Sequence, residues 1–242
     1  KAGQTGYYRR LFETNLNAPP MNAADQAYDA ATCVGVFSFG HVQADALADY
    51  FDLQGLPGLT PRYNIAPTQA IPVVLLDETG TRRFRLMRWG LLPGFVKDPK
   101  KFPTLINARS EEVLQKPSFR NAVRHRRCLI PADGFYEWQR VDGGKQPFHI
   151  RFADRRPFAF AGLWERWTAG ADPIDSCTII TTSPNELVAP LHDRMPVILP
   201  AQDHQEWLGP GTLTPERLAE LLAPHSARGM EAFPVSPYVN RP

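Results

Sequence analysis

At 242 residues the chain is long enough to bury a full core, as one large domain or two small ones, and its 43% apolar and 21% charged content are those of an ordinary soluble globular protein. No apolar run approaches the roughly 20 residues that cross a bilayer, which excludes a helical membrane span. The formal charge of +2 is too small to announce a nucleic-acid partner by itself. Three widely spaced cysteines, Cys33, Cys128 and Cys177, indicate neither a disulfide framework nor a zinc site, and no secretion signal opens the chain. A reducing, cytoplasmic setting is expected.

Residues 1–32 carry no sustained period and read as an N-terminal extension, with the folded domain over residues 33–242. Cys33 to Phe39 reads as the first strand, Ala44 to Leu53 as a short helix, and Gly55 to Pro61 as loop. Arg62 to Thr68 is extended, because residues before Pro67 avoid the helical region. Strands are expected over Ala70–Leu76 and Arg82–Leu92, around a turn at Glu78-Thr79-Gly80. Leu105 to Glu112 passes from strand to helix with Ser110 as its cap, and a second short helix covers Ser118 to Arg124.

Further strands follow near Cys128–Ile130, Phe135–Gln139, Phe148–Phe152, Phe158–Trp164 and Cys177–Thr182. Asn185 to Ala189 is a helical turn and Pro196 to Leu199 a short strand. Helices are expected over Asp203–Leu208 and Pro215–Leu222, and a last strand around Glu231–Val235. Strands mixed with short helices, without a βαβ rhythm, predict a single α+β domain. The 24 prolines are spread through the chain, as many turns require.

Basic residues cluster locally: Arg82, Arg83, Arg85 and Arg88; Arg120, Arg124, His125, Arg126 and Arg127; Lys97, Lys100 and Lys101 beside Phe95 and Phe102. Such runs serve either as solvated faces or as phosphate-binding surfaces. Cys128 and Cys177 stand in apolar strand contexts and read as core residues.

The stretch Pro131 to Trp138 carries the most chemistry. A Pro and an Asp-Gly pair mark a turn, and in the strand that follows Phe135 and Glu137 share one face while Tyr136 and Trp138 take the other. Glu137 is then a carboxylate among aromatics, poorly solvated and able to exchange protons near neutral pH. The alternative is an edge-strand Glu that reaches water.

Four segments in order resemble the SRAP family of abasic-site processing proteins: Arg62 to Thr68, Ile106 to Glu111, Ala132 to Trp138, and His192 to Leu199. Trp89 to Pro93 and Lys145 to Phe148 resemble it too. The resemblance runs from about residue 33 to the C-terminus. It implies a strongly curved, barrel-like antiparallel sheet flanked by short helices, and binding of single-stranded DNA or single/double-strand junctions with abasic sites. No metal or organic cofactor is implied.

In the family an N-terminal Cys is the nucleophile: its α-amine condenses with the sugar aldehyde and its thiol closes a thiazolidine. By match to the family, Asn107 holds the nucleophile or the sugar, Glu137 handles protons at the amine, and His192 is the acid/base for opening the sugar ring. Arg109 pairs with the flanking phosphate. Asn64 falls in the DNA-binding set with Pro67, Trp89 and Phe95, the last three offering stacking faces for unpaired bases. Against these stand a turn role for His192, a cap for Asn107, a surface ion pair for Arg109 and core packing for Trp89.

One departure matters. The family opens Met-Cys-Gly-Arg plus an aromatic, whereas here the stretch is Thr32-Cys33-Val34-Gly35-Val36-Phe37. If Gly35 and Phe37 align with the family's Gly and aromatic, Val34 takes the nucleophile's place and Cys33 lies one residue early. An internal Cys has an amide nitrogen, which is not nucleophilic. Either cleavage between Thr32 and Cys33 frees the amine, by a self-processing peptidase step, or the chain binds DNA without crosslinking. A third reading is a cysteine hydrolase acting on peptides through Cys33, His192 and Glu137 or Asn107.

Overall fold

The apolar run Ala70–Leu76 and the alternating run Arg82–Trp89 pair as an antiparallel hairpin, β3 and β4, in the computed structural model of the protein, which describes residues 37–39, 44–53 and 62–240. The expected extension 1–32, Cys33 and the expected loop from Gly55 to Pro61 lie outside the described residues. β3 is buried on both faces, as its unbroken apolar sequence requires, while on β4 the face shared by Arg83, Arg85, Met87 and Trp89 is exposed at its first two positions and buried at its last two. The strand stops at Trp89, short of the expected Leu92, because Gly90 at φ +129° turns the chain out of it.

β3 also pairs with β6 (Arg127–Ala132), β6 with β9 (Phe158–Trp167), and β9 with β10 (Ile174–Thr182), all antiparallel. β10 then pairs with β4, parallel, through Ser176–Arg88 and Cys177–Trp89. These five strands close a ring, narrowest in its pairing where β10 meets β4 and β3 meets β6. Three short strands extend it: β5 (Asn107–Arg109), parallel to β10, β11 (Met195–Pro196) and β12 (Ile198–Leu199). The curvature is as expected, but the sheet is mixed, since β10 runs parallel to β4 and β5.

A second sheet, antiparallel throughout, has the order β13 (Met230–Pro234), β8 (Gly144–Phe152), β7 (Gly134–Val141), β1 (Phe37–Phe39), β2 (Arg62–Ile65). One core joins both sheets: Phe135, Ile150 and Phe152 pack in the same cluster as Ile71, Val73, Phe160 and Ile179. The chain is accordingly a single α+β domain. The outer face of the second sheet carries its own small cluster, Tyr136, Val235 and Val239, with Trp138 and Phe233 against it.

Among the described residues the helices are short, and none is long and apolar enough to cross a membrane. α1 (Ala44–Phe51) buries Leu47 and Phe51, one turn apart, and ends at Asp52 in the left-handed region. α2 (Ala122–His125) and α3 (His204–Leu208) follow, and α4 (Pro215–Leu221) starts on Thr214, whose hydroxyl accepts from the Arg217 amide, with Pro at the first position. The expected helix at Ser110 is a single 3-10 turn, Ser110–Glu112. Arg109 rather than Ser110 stands at its cap position, and no side chain caps it.

Candidate functional site

β7 lies between β1, which pairs with it at Gly134 and Phe135, and β8, which pairs with it from Phe135 to Val141, and its alternation decides what each face meets. Phe135 enters the main core and Tyr136 the outer cluster, where its hydroxyl donates to the Tyr63 carbonyl at 2.9 Å. Glu137 therefore shares the side of Phe135, and it is only 2% exposed. The edge-strand alternative, with a carboxylate reaching water, is overturned. At Gly134 a side chain would collide with the buried imidazole of His149, which packs 4.8 Å from the Tyr136 ring. The Asp-Gly pair thus makes room for a ring as well as a turn.

Two residues along the same face, Gln139 donates to the Pro190 carbonyl at 3.2 Å. This lays the 185–194 segment against β7. Asn185 shapes that segment, its Oδ1 accepting from the amides of Leu187 and Val188, and the Val188 carbonyl accepts from Leu191 and His192. The His192 side chain is 23% exposed. Its Nδ1 lies 3.0 Å from the Arg194 amide and 2.9 Å from the Asp193 carboxylate. Burial lowers the His192 pKa, the Asp193 carboxylate and a backbone hydrogen bond with Arg194 oppose this, and the cations Lys145 and Arg140 of the β7–β8 hairpin add to the lowering.

Arg194 forks onto Glu111 with bonds of 2.7 and 2.9 Å and donates to the Thr181 carbonyl at 2.7 Å. Thr181 is the parallel partner of Arg109, and Ile179 that of Asn107. Asn107 and Arg109 project from the same side of β5, the first half-buried and the second exposed. Asn107, Arg109 and the His192 turn are thus tied around the C-terminal end of β10, and the Gln139–Pro190 bond lays the strand of Glu137 against that turn. Arg109, Arg140 and Lys145 are all exposed and give this region a cationic rim.

The other expected contacts divide. Phe95 is 59% exposed and sits edge-on to Phe102, in a loop whose base is held by the Gly94 amide on Glu165. Beside it is a cleft of about 350 Å³ lined by Arg88, Lys100, Phe102 and Ile174. Ile174 and Ile179 stand at opposite ends of a five-residue step along β10, so this cleft lies roughly 16 Å from the level of Asn107. Pro67 is half-buried at a turn held by Arg62, whose guanidinium bonds Gln69 Oε1 and the Ala70 carbonyl.

Trp89 offers no stacking face: it is fully buried, with its indole N–H on the Ile106 carbonyl. Asn64 is turned to the C-terminal segment, its Nδ2 donating to the Val239 carbonyl and its Oδ1 buried without a hydrogen-bond partner among the described residues. Its amide thereby ties β2 to the C-terminal segment.

The arginine-rich runs are largely engaged within the protein. Arg83 pairs with Asp77, Arg126 with Glu165, and Arg127 is buried among carbonyls. Cys128 and Cys177 are fully buried and burial pushes both thiols up, as core residues would be. Among the described residues no group of His, Cys, Asp and Glu converges as a metal site would require. The sequence alone assigns no role to Gln139, to Arg140 or to the Arg194–Glu111 fork. Glu111 and Arg194 stand in motif segments, but nothing linear joins residues 83 apart.

A closed, mixed five-strand ring, joined through one core to an antiparallel sheet that buries a carboxylate near a histidine turn, defines the class of α+β protein. The model of the SOS response associated peptidase (SRAP) family matches residues 35–242, and the chain belongs to that family. It is similar to the abasic site processing protein YoqW of Bacillus subtilis (strain 168), 48% identical over 184 residues, 75% of this chain and 82% of that protein. The abasic site processing protein HMCES of Gallus gallus is 34% identical over 213 residues, 74% of this chain and 62% of that protein. A crystal structure of a protein from Bordetella bronchiseptica has a TM-score of 0.71 at 28% identity, covering 84% of this chain and all of that one.

Proposed function

We propose that the chain captures abasic sites in single-stranded DNA, or at single/double-strand junctions, as part of a DNA-damage response. The observation that carries this reading is the gathering of a buried carboxylate, Glu137, with the His192 turn and the strand of Asn107 and Arg109, in a chain whose relatives are named abasic site processing proteins. The cationic rim of Arg109, Arg140 and Lys145 supports a phosphate-bearing ligand.

The chemistry follows from what an abasic sugar needs. Its aldehyde appears only when the ring opens, which requires a proton at the ring oxygen and loss of one from the anomeric hydroxyl; His192 takes that role. An α-amine then adds to the aldehyde carbon. Glu137 protonates the hydroxyl that leaves as water, giving an imine. A neighbouring thiol adds to the imine carbon as the nitrogen takes up a proton, closing a five-membered thiazolidine. Asn107 holds the reacting groups by hydrogen bonds and Arg109 pairs with the flanking phosphate. Pro67 and Phe95 offer faces to unpaired bases on either side.

The nucleophile in this reading is Cys33, once hydrolysis of the Thr32–Cys33 bond by the chain itself has freed its amine. An α-amine with a pKa of about 8 is partly neutral at pH 7 and can attack; an amide cannot. A second reading, a DNA-binding module that forms no crosslink, is favoured by one observation: Val34 stands where the family's nucleophile is expected.

The test incubates single-stranded DNA bearing one abasic site with the full chain, a chain beginning at Cys33, and Cys33→Ala in each background, followed by denaturing gels. A stable shifted band from the Cys33-start form, lost with Cys33→Ala, is expected. Crosslinking by the full chain should be accompanied by mass-spectrometric loss of residues 1–32. Absence of any covalent band with native-gel binding retained would replace this reading by the second one.

A further inference from the structure

We infer that Arg194 and Glu111 are positioning residues for His192, and that they hold its resting imidazole as the tautomer with the proton on Nε2. This rests on the reading of His192 as the group that acts on the sugar. The first observation is the Arg194 amide, 3.0 Å from Nδ1. A backbone N–H can only donate, so Nδ1 must present its lone pair, and in a neutral ring the proton is then on the other nitrogen.

The Asp193 carboxylate, 2.9 Å from the same nitrogen, asks for the opposite arrangement. The two cannot both be satisfied. The amide wins in the neutral ring, because the backbone fixes its direction while the Asp193 side chain is 89% exposed and has water as a partner. Protonation of Nδ1 reverses the preference and brings Asp193 in as the acceptor. In the resting state His192 therefore carries its hydrogen-bond donor on Nε2. Full proton transfer comes from the imidazolium that Asp193 stabilises.

The second observation is what keeps the Arg194 amide in place. The guanidinium is planar, only 15% exposed, and engaged on two sides: the fork to both oxygens of Glu111, and the bond to the Thr181 carbonyl. Glu111 follows closely on Arg109, and Thr181 is the pairing partner of Arg109. The residue that sets the His192 tautomer is thus bolted to the strand that carries Asn107 and Arg109. Upstream, the turn is held through the Val188 carbonyl, which accepts from the His192 amide. Downstream, Arg194 supplies the anchor. Lysine at this position keeps the charge but cannot make the fork.

The experiment records long-range proton–nitrogen imidazole spectra of the nitrogen-15-labelled full chain, with His192 assigned by its loss in His192→Gln. The wild type should show the Nε2–H tautomer alone at neutral pH and above. In Arg194→Lys the pattern should become a mixture. The rate of covalent product formation on abasic single-stranded DNA should fall about ten-fold, while affinity for intact single strands shifts less than about two-fold. Glu111→Gln, which keeps the guanidinium and one acceptor, should move the same readouts in the same direction by less, and it carries the test if Arg194→Lys does not fold.

A wild-type proton on Nδ1 overturns the inference. So does a folded Arg194→Lys with unchanged tautomer and rate. A loss of affinity for every single strand alike in Arg194→Lys, with the tautomer unchanged, would make Arg194 a phosphate contact instead. If the wild type forms no covalent product, the functional reading fails while the spectra still decide the tautomer.

Discussion

Gln139 donates to the Pro190 carbonyl at 3.2 Å, two residues along the same face of β7 from the buried carboxylate of Glu137. This bond is what sets the His192 turn against the strand that carries the carboxylate. Glu137→Gln keeps the shape and removes the proton exchange, so covalent product formation should fall by about 10²- to 10⁴-fold. DNA affinity should change little. Gln139→Leu should keep the carboxylate but loosen the turn, with a loss of about ten-fold. Single-turnover gels at saturating protein separate the two, and equal rates for Glu137→Gln and wild type would remove Glu137 from the mechanism.

Arg109 stands exposed at the end of β5, and its parallel partner Thr181 is clamped by Arg194. A phosphate contact there predicts that Arg109→Gln weakens binding to every single strand alike. The slope of log affinity against log salt should become shallower by about 0.7, the single-strand value for one phosphate. Fluorescence anisotropy over a salt series measures both. An affinity loss with an unchanged slope would make Arg109 an uncharged contact.

What the sequence announces is local. The alternation of Phe135, Tyr136, Glu137 and Trp138 sorts the two faces of β7, and the unbroken apolar run at Ala70–Leu76 marks a strand buried on both sides. Partner choice is not local. β10 meets β4 in parallel, Ser176 beside Arg88 and Cys177 beside Trp89, and no short turn joins strands that run in parallel, so no nearby residue names the partner. The same limit hides the Arg194–Glu111 fork. Trp89 and Phe95 differ for a reason the sequence does contain: Trp89 alternates with Met87 on the inward side of β4, whereas Phe95 follows Pro93-Gly94 in a loop. Aromatic character alone does not separate a core ring from an exposed one.

Thr68, beside Pro67, sits at φ +72°, a region that a β-branched residue occupies only under strain. The Thr68 amide donates to the Trp89 carbonyl at 2.8 Å, which holds the turn in this shape. Asparagine tolerates the left-handed region without glycine's extra freedom in the unfolded chain. Thr68→Asn should therefore stabilise the protein by about 1 kcal/mol and raise Tm by about 2–4 °C. Differential scanning calorimetry measures it, and a lower Tm would show that the threonine side chain contributes more than its strain costs.

His204 is 1% exposed, its ring stacked on Phe51 at 5.7 Å, with Nε2 on the Leu199 carbonyl. Burial lowers its pKa from 6.5 to about 4. The unfolded chain therefore binds more protons than the folded one between these values. The contribution is fully present above about pH 6.5 and is lost as pH falls towards 4, by about 3 kcal/mol in all. Urea unfolding of wild type and His204→Phe across this window is the measurement. The variant should start about 1 kcal/mol lower, for its lost hydrogen bond, and show a flatter decline. Parallel declines would place the acid sensitivity elsewhere.

Arg127 belongs to a basic run that invites a phosphate reading, yet it is 6% exposed. Its guanidinium donates to five carbonyls: Trp207, Val123, Arg124, Gly209 and Gly211, at 2.6 to 3.1 Å. Burial lowers its pKa, with the Glu206 carboxylate acting the other way. The side chain thereby ties the end of α2 to the end of α3 and the loop after it, where these carbonyls lack helical partners of their own. Arg127→Met fills the space but strands several buried acceptors, so stability should fall by about 3–5 kcal/mol. Arg120→Gln and Arg124→Gln, on exposed positions of the same run, should stay within about 0.5 kcal/mol of wild type. Urea midpoints give the comparison, with DNA affinity measured on each folded variant. An Arg127→Met that keeps wild-type stability but loses DNA binding would return the residue to the surface role its neighbours suggest.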